Sequence, residues 1–213
     1  MNSAHFFDIL AACVHSYQTL SEENGKLPID RRIDAPLPIP YPENSLDYLL
    51  YKKNHIDNIQ WDLEDLIRDP DIDPAAALAL KRRIDASNQE RTDMVERLDD
   101  YFLAHYQSVA PAPDARLNTE SIAWALDRLS ILALKLYHME AQTLRKDATE
   151  SHINKCQRKL TVLQVQKKDL IQAIGELMED IAAGKRIMKV YRQMKMYNDP
   201  SLNPVLYQQK KSS

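Results

Sequence analysis

The sequence predicts an all-α fold: an antiparallel bundle of five to six helices, of which the third and fifth are long. Three observations lead there. Glycine occurs 3 times in 213 residues, far below the average usage of about 7%, and hairpins need glycine at positive φ. All 11 prolines fall into four places, at residues 28–42, 70–74, 111–113 and 200–204, and proline, with φ locked and no N–H to donate, marks helix boundaries. The proline-free segments between them repeat apolar residues at three and four, the period of an amphipathic helix.

The first helix is expected over about residues 3–20, with Leu10, Cys13, Val14 and Tyr17 on one side. Residues 21–43 follow as an extended, proline-rich linker, because alternate prolines favour polyproline II. The second helix spans about 45–68, opened by Asn44 with Asp47 as a capping pair, and buries Leu49, Ile56, Ile59, Leu63, Leu66 and Ile67. After an acidic turn at 69–73, Asp73 as N-cap and Pro74 at the first helical position start the third helix, which runs to Tyr106. At 1.5 Å per residue it is about 50 Å long.

The fourth helix, about residues 120–146, is apolar over most of its circumference, as a central helix is. The fifth begins near Thr149 and keeps a seam at Ile153, Cys156, Leu160, Leu163, Leu170, Ile174, Leu177 and Ile181, interrupted by Lys167. Such spacing favours coiled-coil-like packing. Gly184 either caps this helix with a bend or lets another backbone approach closely. Residues 185–197 are expected to form a basic helical segment and residues 198–213 an irregular tail, the whole of 1–213 making one helical domain.

Composition narrows the function. The formal net charge is −3, with 44% hydrophobic and 28% charged residues, so a nucleic-acid binder relying on bulk positive charge is excluded. Two cysteines, Cys13 and Cys156, are too few for a disulfide framework or zinc site, which points to a cytoplasmic protein. Met1 to Cys13 has no basic residue before its apolar run and carries Asp8 within it, unlike a secretory signal. The most apolar stretch, 122–139, contains Asp127, Arg128 and Lys135, so no transmembrane segment is expected. Gly-rich phosphate loops, HExxH, CxxC and GxSxG are all missing; neither metal nor cofactor is expected.

What remains is polar residues on apolar faces. Arg91 falls at the centre of the face formed by Leu80, Ile84, Val95, Leu98 and Phe102, with Asn88 beside it. A buried guanidinium needs a carboxylate, and the fourth helix offers Asp127 on a polar strip with Arg128, Lys135 and His138. An ion pair of Arg91 with Asp127 that sets the bundle register is the first reading, and a ligand-anchoring arginine the second. His138 is read as a boundary histidine before a base or ligand. The carboxylates Asp62, Glu64, Asp65, Glu96, Asp99 and Asp100 are read as solvated faces, in preference to a magnesium site.

Charge is unevenly divided. Residues 1–120 hold 12 basic and 22 acidic residues, residues 121–213 hold 16 and 9. Lys185, Arg186, Lys189, Arg192 and Lys195 form a basic face that is solvated, docks on the acidic half of another copy, or binds an anion.

Trp61-Asp62-Leu63-Glu64-Asp65, Lys81-Arg82-Arg83-Ile84-Asp85 with Asn88-Gln89 and Arg91, Asp127 through Lys135 with Tyr137-His138-Met139, and Lys189-Val190-Tyr191-Arg192-Gln193 through Asp199-Pro200 carry a resemblance over about residues 45–207. In these motifs the chain resembles a bacterial, all-helical family known as a domain of unknown function. The resemblance implies the same fold and an association with sugar transferases of the bacterial envelope; where members often carry histidine, this chain has Asp62.

The expected function is therefore that of a non-enzymatic interaction or accessory protein that self-associates, as a homodimer, or binds another protein. The alternative is an enzyme or binding protein for a phosphate-bearing metabolite, such as a sugar nucleotide or phosphosugar of envelope glycan synthesis. Its anion donors would be Arg91, Asn88, Arg128, Lys135, His138, Lys189 and Arg192.

Overall fold

A computed structural model describes residues 2–22, 25–194, 196 and 199–209. Its elements are α1 (Ser3–Gln18), β1 (Ser21–Glu22), β2 (Gly25–Lys26), α2 (Ile29–Arg32), α3 (Leu46–Leu66), α4 (Pro74–His105), α5 (Ile122–Thr143), α6 (Glu150–Ala182) and α7 (Pro204–Gln209). The helices take in 66% of the described residues, and the single two-residue ladder is the only pairing of named strands among them.

Local chemistry accounts for most boundaries. The Asp73 carboxylate accepts from the Ala76 N–H with Pro74 in the first turn, Ser121 caps α5 through the Trp124 N–H, and Thr149 caps α6 through the His152 N–H. The cap of α3 differs from expectation. Ser45 accepts from the Tyr48 N–H, while Asn44 takes φ 65°, the left-handed conformation asparagine tolerates, which turns it away from the N-cap position.

Two connections also differ. Between 21 and 43 the ladder and α2 interrupt the extended chain, because Pro28 sets up the short helix and Arg32 within it is drawn inward, leaving it 5% exposed. Residues 185–194 are not helical. Gly184 takes φ 70°, and its carbonyl accepts from the Ala112 N–H at 2.9 Å. The Lys185 carbonyl then accepts from the Arg116 N–H at 3.0 Å, and the Ile187 N–H donates to the Arg116 carbonyl at 3.0 Å. The loop thus takes bonds that a helix would have used. A Cβ at 184 would lie 2.8 Å from the Ala110 oxygen, so this glycine both caps α6 and admits a second backbone. Lys195 and Tyr197 lie outside the described residues, as do Asn198 and 210–213 of the tail, within which 204–209 form α7.

The main apolar cluster draws on α1, α3, α4, α5 and α6, around Leu10, Leu50, Leu98, Phe102, Leu126 and Leu129. A smaller one joins Ile33, Leu63 and Ile84 at the α2 end. The short connection 144–149 makes α5 and α6 an antiparallel hairpin. No helix among the described residues is long and apolar enough to cross a membrane.

Candidate functional site

The interior contains an ionic cluster built from three helices. Lys53 on α3 reaches Asp57 one turn on and Asp127 on α5, the latter at 2.6 Å. Arg91 on α4 closes the cluster, its Nη2 donating to Asp127 Oδ2 at 2.5 Å and its Nε lying 3.1 Å from Asp57 Oδ1. The Ser130 hydroxyl donates to Asp57 at 2.5 Å and accepts from Asn54 at 2.8 Å, and Asn58 donates to Asn54 at 3.0 Å. Two cations face two carboxylates, so the cluster is neutral, which is what lets it stay away from water. Burial pushes the Asp57 carboxyl above its ordinary range; the Lys53 ammonium opposes that shift and the Asp127 charge adds to it.

A second buried pair lies further along α3. Arg32 grips Asp62 with two hydrogen bonds, of 2.9 and 2.8 Å, and the Tyr17 hydroxyl donates to the same carboxylate at 2.8 Å. The guanidinium carbon sits 5.1 Å from the Tyr17 ring centroid. Burial raises the Asp62 carboxyl against the pull of Arg32.

Outside this interior, α5, α6 and the edges of α3 and α4 frame two adjoining open hollows of about 710 and 620 Å³ that share Lys135 and Gln166. The first is lined by Arg91, Asp127, Arg128 and Lys135 together with Glu120 and Asp169. The second is lined by Trp61, His138, Met139, Lys159, Val162 and Leu163, among others. Trp61 and His138 stack with ring centroids 4.6 Å apart and planes 2° apart. Burial holds the His138 imidazole below its ordinary pKa, so it is neutral at pH 7.

Of the residues singled out as anion donors, Arg91, Arg128 and Lys135 line the first hollow. Arg91 is taken up by Asp57 and Asp127, and Arg128 by Glu120 at 2.9 Å. Arg192 binds Glu96 and Asp100 on α4, and Lys189 lies 5.2 Å from the Tyr191 ring; neither lines the hollows. Asn88 is half-buried and its carbonyl accepts from Thr92. Lys135 and His138 do share the second hollow. Among the described residues, Arg91 and Arg128 are thus neutralised by carboxylates while Lys135 has no ion pair.

A family model described as a protein of unknown function, DUF4254, matches residues 47–190. The chain belongs to that family. No curated protein and no solved structure matches it. The DUF4254 region contains every member of the ionic cluster, whereas Tyr17 and Arg32, which hold Asp62, precede it.

Two acids read as solvated prove buried: Asp62 and Asp99 are each 1% exposed. Burial pushes the Asp99 carboxyl up to about 6, against the pull of the nearby Ser121 hydroxyl and the Arg192 charge. Sequence reasoning also missed Lys53 and Asp57. The signal available was their spacing of four beside Leu49, Leu50 and Ile56, which puts a complementary pair on a face that is otherwise apolar. Among the described residues no three His, Cys, Asp or Glu side chains gather as metal ligands would.

Proposed function

We propose that this DUF4254 protein is a non-enzymatic accessory protein of the cytoplasm that works by protein association, with a second copy of itself as its first partner. The observation that carries this reading is where polarity and apolarity are left over. The ionic groups of the cluster pair with one another, Arg91 and Asp127 doing so at the edge of the first hollow, which favours a structural role for them. The middle of α6, by contrast, carries Val162 at 57% and Val165 at 53% exposure beside the half-buried Leu163 and Leu170, and apolar side chains held in water by a rigid helix favour association. Light scattering across the micromolar range tests it: a concentration-dependent dimer is expected, and a monomer at high micromolar concentration overturns it.

A second reading has one observation in its favour. Lys135 and Lys159 line the hollow beside Trp61 with no ion pair among the described residues, which suits an anion with a flat apolar body, such as a sugar nucleotide. Such a ligand at a hundred times its dissociation constant adds about 2.7 kcal/mol. A thermal-shift screen of sugar nucleotides and phosphosugars, repeated on Lys135→Met, decides it; no shift with any of them rejects this reading.

A further inference from the structure

The outward face of α6 has an order that the bundle does not use. Its solvent-facing positions, spaced alternately by three and four, are Lys155, Arg158, Val162, Val165, Asp169, Gln172, Glu176 and Glu179, all exposed. The stripe runs from basic through apolar to acidic. The whole helix follows it: residues 150–168 hold five basic residues and one acid, and 169–182 hold four acids and no basic residue. Glu179 stands in the last turn, where the helix dipole favours cations.

Among the described residues few of these charges are answered. Asp180 is met by Lys185 and Arg186 at 3.7 and 3.5 Å, and Glu176 accepts a hydrogen bond from Gln172 at 2.7 Å. No ion pair engages Lys155, Arg158, Asp169, Glu176 or Glu179 among the described residues.

A stripe that is basic at one end, apolar in the middle and acidic at the other complements itself when turned end for end. We infer that a second copy docks antiparallel on α6, about a two-fold axis near residue 167. That symmetry sets Lys155 opposite Glu179 and Arg158 opposite Glu176, and each pairing occurs twice in an isologous interface. The same axis sets Val162 opposite Gln172 and Val165 opposite Asp169, so the charged ends carry the complementarity and Val165 of each copy stands next to the axis. A parallel arrangement would oppose like charges along the whole helix, which is destabilising. The three-four spacing is that of helices packing along their length. With so little apolar surface and its charges exposed, the contact is reversible and weakened by salt, because exposed charges are screened. The inference rests on the self-association reading and adds the surface and its polarity.

Charge exchange within one chain tests it. Lys155→Glu with Arg158→Glu makes the stripe acidic at both ends, which weakens the dimer about tenfold, or 1.4 kcal/mol; adding Glu176→Lys with Glu179→Lys restores it. Circular dichroism of each variant confirms that the helices persist. In parallel, a short bis-maleimide links Val165→Cys chains into dimers and leaves Leu78→Cys chains, altered at the start of α4, unlinked; Cys13 and Cys156 are buried. A dimer indifferent to the charge reversal, or one linked through Leu78→Cys and not Val165→Cys, overturns the α6 contact and leaves self-association standing. A monomer in light scattering overturns both.

Discussion

Lys53 and Asp127 tie α3 to α5 by an ion pair of 2.6 Å in which the two side chains are 1% and 7% exposed. Since the Lys53 ammonium also serves Asp57, it is the charge on which both buried carboxylates depend.

Removing that charge has a predictable cost. Lys53→Met keeps the volume but leaves two carboxylates against Arg91 alone, and uncompensated buried charge costs about 3 to 5 kcal/mol. Arg91→Leu costs less, because this side chain is 28% exposed and water screens what it leaves behind. Urea melts of Lys53→Met, Asp127→Leu and the double variant measure the coupling; single variants as stable as the parent would show that the cluster contributes nothing.

Asp99 gives the protein a pH dependence of stated sign. Its carboxyl is raised by burial to about 6, from an ordinary 3.8, so over the range between them the folded state binds a proton that the unfolded state has released. Between those values stability falls as pH rises, and the ionised group's cost is fully present above pH 6. Asp99→Asn is expected to raise the melting temperature at pH 7.5 and to leave it unchanged near pH 4. An equal effect at both pH values contradicts the assignment.

Gly184 and Gly175 respond oppositely to alanine. At 184 the residue pays for a left-handed backbone, about 1–2 kcal/mol, and its Cβ meets a backbone oxygen at 2.8 Å that has no room to move. At 175, within α6, the only near atom is the Ser3 hydroxyl at 3.1 Å. That side chain rotates away, and the helix gains up to about 1 kcal/mol from replacing glycine. Chemical denaturation of the two variants checks the order: Gly184→Ala below the parent, Gly175→Ala at or above it.

Where helices begin was legible in the sequence because capping and proline act within a few residues. Asp73 with Pro74 and Thr149 open α4 and α6 as read, and Gly184 ends the helix it follows. Sequence also put Arg91 and Asp127 on inward faces. Which charged groups are buried was a different matter, because the burial of a charge depends on a partner supplied by another helix. Lys53 and Asp57 look like an ordinary surface pair until α5 brings Asp127 and Ser130 to them, 73 residues beyond Asp57 in the case of Ser130. Asp62 is buried because Arg32, 30 residues earlier, reaches it from the short helix within the linker. The basic stretch after Gly184 kept its helical period and yet is not helical, since the 112–116 loop takes its backbone hydrogen bonds. Local sequence determined the helices and their ends; only the tertiary structure decided which polar groups were neutralised inside, because that choice belongs to pairs of groups brought together by packing.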